Sequence, residues 1–281
     1  MTDGIHFTPA TAFSLDALAE IFTRAFAGYY YAQTLTGAMF AAKTRLESLD
    51  LHFSPVMLSG GEPCGIAVLG LRGERAWCGG FGVAAPKRGA GLAARLAAEM
   101  LGQARAAGAR ECVLEVLTRN ERAIKTYARA GFRTTRDLRI LEWRAPEGRD
   151  PAAGQGTTHA LIEQAPARLL ERFSELHPAP AAWQRDLPAL LASGKLRGLA
   201  LGHGERAGAY ALLAETPDGG ARVEDLGAVG VEQAAALLRA LQPRYARLFS
   251  VNEPADSPLT AAFGAAGFVE RDRQHDMAIQ L

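Results

Sequence analysis

The chain has 281 residues, enough for two domains at a prior of about 150 residues each. Its 48% hydrophobic and 22% charged residues are those of an ordinary globular protein, and a net charge of +1 excludes a global pull toward nucleic acid or an anionic membrane. No apolar run approaches the roughly 20 residues that span a bilayer, and no basic segment leads into an apolar core at the N-terminus, so a soluble, cytoplasmic protein is expected.

In chain order, residues 5–8 read as a short strand. Ser14 is the N-cap candidate of a helix running to Ala27, with Leu15, Leu18, Ile21, Phe22 and Phe26 on one face. A second helix is predicted over 35–49. Strands over 54–58, 64–71 and 76–83 are separated by tight Gly-containing turns, which favours an antiparallel meander. A helix from Gly91 turns Leu92, Leu96, Met100 and Leu101 inward and stops at Gly108. A strand over 112–117, a helix over 121–130 closed by Gly131, and a strand over 138–143 complete the first half. Cys64, Cys78 and Cys112 lie far apart without a Cys-x-x-Cys pair, and read as small buried hydrophobes with no metal site.

Pro, Gly and polar residues dominate 145–156, which reads as a linker. The expected organisation is therefore one domain over 1–144 and a second over 157–281. The second half repeats the order of the first: strand 159–163, helices 167–176 and 183–192, strands 196–201, 208–214 and 222–229, helix 231–241, strand 246–251, helix 258–266 and strand 274–281. Asn252-Glu-x-Ala255 leading to Gly267-Phe268 echoes Asn120-Glu-x-Ala123 leading to Gly131-Phe132. The period is that of a whole domain, far too long for a solenoid.

The most informative stretch is 83–93. A Gly-broken strand runs into Pro86, then a basic Gly-rich turn, then an apolar-periodic helix. Such a turn aims successive N–H groups at one point, and the helix behind it adds about half a positive charge, a seat suited to a diphosphate. Gly80-x-Gly82-x-x-Ala85 fits the dinucleotide fingerprint by letters, but its glycines sit inside the strand and Pro86 precedes the helix. Gly82-x-x-x-x-Lys87 lacks the second Gly before Lys and the following Ser or Thr of a phosphate-binding Walker loop. A bare turn using glycine for positive φ is the plainer alternative.

The set Val83-x-x-Pro86, Arg88-x-x-Gly91-x-Ala93, Leu114-Glu115-Val116, Asn120-x-x-Ala123-x-x-x-Tyr127 and Gly131-Phe132 resembles the signature of the GCN5-related N-acetyltransferase (GNAT) superfamily. The resemblance implies an α/β (α+β) fold of two tandem GNAT-like domains, each a mixed, mostly antiparallel twisted sheet flanked by helices. It implies an enzyme using acetyl-CoA, with a small-molecule or peptide amine as acceptor. The backbone of Arg88, Gly89, Ala90, Gly91, Leu92 and Ala93 would hold the diphosphate. Phe81, Gly82 and Val83 would pair with the pantetheine arm, and Asn120 and Ala123 would line it. Tyr127 would be the general acid and Glu115 the base. Phe26, Tyr29, Tyr30 and Tyr31 fall where relatives build the acceptor wall. The residues also permit structural readings. Gly79, Gly80 and Gly82 can serve tight packing, Tyr127 a core position, Glu115 a hydrogen bond on the sheet, and the aromatics a staple between two helices. Arg119, Arg122, Lys125 and Arg129 read as a basic helix face, solvated or touching the 3′-phosphate through Arg129.

In the second half the matching turn, 227–233, has no Pro and no Arg-x-x-Gly, and carries Glu232 where a phosphate would sit. Phe263 stands in the place of Tyr127, counted back from Gly267. This half is expected to be degenerate and non-catalytic, in a monomer that mimics a dimer or in a homodimer. A non-catalytic acyl-CoA sensor is the alternative function.

Overall fold

The computed structural model describes residues 4–147, 161–202 and 207–281. These form two compact units, Met1–Thr135 with Asp276–Leu281, and Arg136–His275. Most of the expected linker lies outside the described residues. The described boundary falls at Arg136, within a strand, and the chain rejoins the first unit at Asp276.

In the first unit β1 (Ile5–Pro9), β2 (Pro55–Ser59), β3 (Glu62–Arg72) and β4 (Arg75–Val83) form the antiparallel meander. β5 (Glu111–Leu117) joins β4 in parallel. Beyond β5 lies the last part of β12 (Val269–Gln280), a strand that begins five residues before its predicted start at 274. α1 (Leu15–Ala25) and α2 (Gly37–Leu46) start at side-chain caps. Ser14 Oγ accepts from the Ala17 N–H and Thr36 Oγ1 from the Met39 N–H, each at 3.2 Å. Leu18, Ile21, Phe22 and Ala25 of α1 are buried, whereas Leu15, expected inward, is exposed in the first turn. α3 (Leu92–Ala106) packs on β2, β3 and β4 through Leu92, Leu96, Met100, Leu101 and Ala104. These join Ala67, Leu69, Cys78, Leu114, Val116 and Tyr127 of α4 (Glu121–Arg129) in one core. Strand alternation then puts Trp77 and Glu115 on the opposite face, toward α1 and α2.

The C-terminal residues belong to this core. Met277 is buried in it, the Ile279 side chain lies over Gly131, and the Leu281 N–H donates to the Arg110 carbonyl at 2.8 Å.

In the second unit β7 (Leu161–Gln164), β8 (Arg197–Leu201), β9 (Ala209–Glu215) and β10 (Gly220–Ala228) are antiparallel in sequence. β11 (Arg247–Pro254) is parallel to β10 and antiparallel to β6 (Arg133–Arg144). α8 (Val231–Leu241) and α9 (Thr260–Ala265) pack together over a Leu- and Ala-rich core. The single helix predicted over 167–176 is two short ones, α5 (Pro166–Leu170) and α6 (Phe173–Leu176). The one predicted over 183–192 is a 3-10 turn, Trp183–Arg185, followed by α7 (Leu187–Ala192). Asp186 caps the new start, its Oδ1 accepting from Leu187 N–H at 2.8 Å, with Pro188 in the first turn. Asn252, matched by letters to Asn120, does not head a helix. It lies inside β11 at φ +61°, because pairing of Glu253 and Pro254 with β6 prolongs the strand.

Among the described residues no helix is long and apolar enough to cross a membrane. All three cysteines are free and buried.

Met277→Ala should cost about 2–4 kcal/mol, the usual range for truncating a buried methionine. Chemical denaturation checks it; an unchanged midpoint would mean the C-terminal strand contributes nothing to the first core.

Candidate active site

β4 and β5 pair at Arg75↔Glu111, Ala76↔Cys112 and Trp77↔Val113, and the pairing then ends although both strands run on. The cause is visible on β4's other edge. Val68 of β3 faces Gly80 and Leu69 faces Cys78, so Gly79 is an extra, bulged residue. A bulge bends and twists its strand, which leaves 78–83 without a neighbouring strand on the β5 side. Gly80 and Gly82 let α1 lie directly on this bent strand. A Cβ on Gly80 would meet the Phe22 ring at 2.4 Å, and one on Gly82 would meet the Ala25 carbonyl oxygen at 2.9 Å. The tight-packing reading of these glycines therefore holds, and it coexists with an open strand edge.

β4 delivers the chain into the loop 84–91, which opens with a 3-10 turn at Ala85–Lys87 and ends at Gly91, the N-cap of α3. Gly89 and Gly91 have φ of +90° and +75°, a left-handed conformation that few other residues adopt. Gly91 offers no side chain to cap α3, unlike Ser14, Thr36 and Asn120 at the other long helices of this unit. Among the described residues none accepts from the N–H groups of Gly89, Ala90, Gly91, Leu92 or Ala93. The Arg88 N–H, by contrast, donates to the Ala85 carbonyl at 3.2 Å, so the outward-facing run starts one residue later than the sequence suggested. Its side chain turns back as well. Nε donates to the Val83 carbonyl at 2.8 Å, and Nη2 to the Ala25 and Ala27 carbonyls at 2.9 Å each. Consecutive donors at a helix N-terminus fit a diphosphate.

Tyr127 reaches the slot from the α3–α4 side. It is 7% exposed and packs edge-on to Phe81 at 5.5 Å and Phe132 at 5.9 Å. Burial pushes its pKa well above the ordinary phenol value, with smaller contributions from the neighbouring Cys78, Tyr29 and Cys112. The hydroxyl is therefore protonated throughout the physiological range, and none of the described residues hydrogen-bonds it. Asn120 caps α4, its Oδ1 accepting from the Ala123 N–H at 3.3 Å. Glu115 reaches the slot from the other face. Its Oε2 accepts from Trp77 Nε1 at 2.7 Å, and the Lys43 ammonium, paired with Glu47, stands 5.6 Å over the Trp77 ring. Sequence reasoning missed Trp77 and Lys43; cross-strand and helix-to-strand pairings of this kind have no local signal.

The aromatic segment does double duty. Phe26 stacks on Phe22 at 4.4 Å and meets Tyr29 edge-on at 5.4 Å. Tyr30 Oη donates to the Arg119 carbonyl at 3.1 Å, and the Arg119 guanidinium lies 4.7 Å from the Tyr30 ring and 5.5 Å from that of Tyr31. Arg119 thus precedes α4 and holds the aromatics, rather than sharing the helix face of Arg122, Lys125 and Arg129.

Residues 15–132 match the model of the acetyltransferase (GNAT) family. That match lies within the first unit and covers less than half of the chain. The chain's whole length matches a GCN5-related N-acetyltransferase from Sphaerobacter thermophilus at 14% identity and a TM-score of 0.71, covering 100% of this chain and 96% of that one. A tandem GNAT protein from the clavulanic acid biosynthesis pathway matches at 16% identity and a TM-score of 0.68, with 98% of both chains covered. A GCN5-related N-acetyltransferase from Kribbella flavida matches at 17% identity and a TM-score of 0.60, covering 100% of this chain and 72% of that one. At such identities the likeness is one of fold. No curated protein matches the chain.

The second unit repeats the construction and fills it. β10 and β11 pair at Gly220↔Arg247, Ala221↔Leu248 and Arg222↔Phe249, then part, with Glu224 bulged where the first unit has Gly79. At the parting, Arg185 Nη1 donates to the Val223 carbonyl at 3.1 Å, Ser250 Oγ at 2.6 Å and the Val251 carbonyl at 3.2 Å, and Nη2 pairs with Glu253 at 2.7 Å. Asp225, at the register position of Gly80, is buried and accepts from Tyr210 Oη at 2.8 Å. The turn into α8 is Val229 and Gly230 alone, so the loop 84–91 has no counterpart. Val251 holds the register position of Glu115, and Phe263 is fully buried.

His177 completes this network. Both ring neighbours are acceptors, so it donates from Nδ1 to the Phe173 carbonyl and from Nε2 to Asp225 Oδ1, each at 2.7 Å, as an imidazolium. Burial alone would lower its pKa; the hydrogen bond and charge of Asp225, with the Phe173 carbonyl, outweigh burial and the opposing Arg185 and raise it. A raised pKa contributes stability that is complete below the unfolded value of about 6.5 and is lost as pH climbs through the folded value. The denaturation midpoint of the second unit should therefore fall as pH rises through that window, and His177→Gln should flatten the slope. An equal slope in both proteins would contradict the pairing.

Proposed function

We propose that the chain is an acetyl-CoA-dependent N-acetyltransferase acting on a primary amine of a small molecule or an exposed peptide, with chemistry in the first unit. The observation that carries this reading is the run of acceptor-free N–H groups from Gly89 to Ala93, set on the N-terminus of α3 beside the parted edge of β4. Those groups would hold the diphosphate, and the backbone of Phe81, Gly82 and Val83 would hold the pantetheine arm. Acetyl-CoA, when bound, supplies the acetyl group as a thioester.

The acceptor must lose a proton. An α-amine near pKa 8 costs about 1 kcal/mol to neutralise at pH 7, against roughly 4–5 kcal/mol for a lysine. The Glu115 carboxylate, oriented by the Trp77 indole, serves as the proton acceptor, directly or through water. Tyr127 serves as donor from its hydroxyl; burial keeps the proton on until it is needed. Phe26, Tyr29, Tyr30 and Tyr31 form the acceptor wall. The second unit is non-catalytic, because Arg185, Asp225 and Phe263 occupy the positions a coenzyme and an acid would need.

Release of thiol from acetyl-CoA with a panel of amines tests the reaction. Tyr127→Phe should lower kcat by about 100-fold, the low end of a general-acid contribution, with CoA affinity nearly unchanged. Calorimetry should give one CoA per chain. Two sites per chain would overturn the assignment of the second unit, and CoA binding without turnover on any amine would make the protein a sensor.

A further inference from the structure

The Arg88 side chain belongs to the signature stretch, yet its geometry is not that of a phosphate ligand. Its guanidinium is directed at three carbonyls, those of Val83, Ala25 and Ala27. Ala25 ends α1 and Ala27 lies just past the Phe26 C-cap, so these are carbonyls at the negative end of the helix. A fixed cation there satisfies groups that have no intrahelical partner and complements the helix dipole. The planar fork of arginine reaches all three oxygens at once; a lysine ammonium cannot reproduce it.

The segment that Arg88 grips is tied again a few residues on. Tyr30 Oη donates to the Arg119 carbonyl, and the Tyr30 and Tyr31 rings lie against the Arg119 guanidinium. Arg88 follows β4, and Arg119 follows β5. The stretch from Ala27 to Tyr31 therefore crosses from the end of one parted strand to the end of the other. It is a strap between the two strand ends, and it carries the aromatic residues proposed as the acceptor wall. Ala25 is also held by its close approach to Gly82, so the carbonyl that depends most on Arg88 is that of Ala27.

We infer that Arg88 is a positioning residue that couples the cofactor loop to this strap, so that an anion seated on 89–93 orders the acceptor wall. The inference rests on the acetyl-CoA reading above. Gripping a diphosphate on Gly89 to Ala93 fixes the backbone of Arg88, which adjoins them. That fixes the guanidinium, the Ala27 carbonyl and the aromatic residues beyond it. Coupling is reciprocal, so acceptor bound under the strap tightens the hold on CoA by the same factor.

Amide hydrogen exchange of the full chain, with and without CoA, tests it. In the wild type, CoA should slow exchange in peptides covering both 89–93 and 26–36. In Arg88→Lys the protection of 89–93 should persist and CoA affinity should change by less than about fivefold, the low end of coupling effects, while the CoA-dependent protection of 26–36 disappears. Tyr30→Phe, which cuts the other tether and leaves the loop untouched, should weaken the protection of 26–36 in the same way. The inference is overturned if CoA protects 89–93 but not 26–36 in the wild type. It is equally overturned if Arg88→Lys weakens CoA binding by more than about fivefold, since the side chain would then be a cofactor ligand. Protection of neither segment in the wild type would sink the acetyl-CoA reading itself, and this inference with it.

Discussion

Two parallel strands that stop pairing after Trp77 and Val113 are the constraint on which the first unit is built. A ladder that continued would bury the β5-facing edge of β4 and leave nothing for a ligand to lie against. The bulge at Gly79 breaks it by bending β4 away. The bend is tolerable because α1 follows it, with Phe22 over Gly80 and Ala25 over Gly82. Bending, close helix packing and the loop of acceptor-free N–H groups thus belong to one continuous stretch of chain, from Gly79 to Ala93. The two side chains proposed to carry the chemistry approach that stretch from opposite faces: Glu115 with Trp77 on one, Tyr127 with Phe81 on the other.

The second unit shows what the same backbone does when the opening is closed. Its strands part after Arg222 and Phe249 behind a bulge at Glu224, so the frame is retained. The interior is then occupied by charge. Arg185 ties carbonyls of both strands and Glu253, while Asp225 takes Tyr210 and His177. Buried ions survive only when their partners are complete, so neither Arg185 nor Asp225 can leave its place cheaply to admit a ligand. In this half the parted strands enclose a filled interior.

Much of the first unit was legible because its signals are local. Ser14 and Asn120 announce helix starts by capping chemistry, Gly91 and Gly108 punctuate α3, and the short turns dictate a meander. What could not be read depends on distant pairing or on side-chain direction. β12 begins earlier than its apolar pattern suggests because Val269–His275 carries polar and charged residues on a strand held by neighbours far away in sequence. The letters Asn-Glu-x-Ala recur at 252–255, but strand pairing overrides them. Arg88 was readable as part of a phosphate motif, whereas its turn back onto α1 was not, because nothing in a sequence says which way a guanidinium points. The indole that holds Glu115 and the guanidinium that holds Tyr30 were missed for the same reason.

The central claim is that main-chain donors just past Arg88 seat a diphosphate beside the open edge of β4. A crystal structure of the full chain with CoA tests it most directly. The account predicts phosphate oxygens within hydrogen-bond distance of the N–H groups of Gly89 to Ala93, with the pantetheine arm along Phe81 to Val83. Coenzyme density confined to the second unit, or phosphates held by side chains away from that loop, would contradict it.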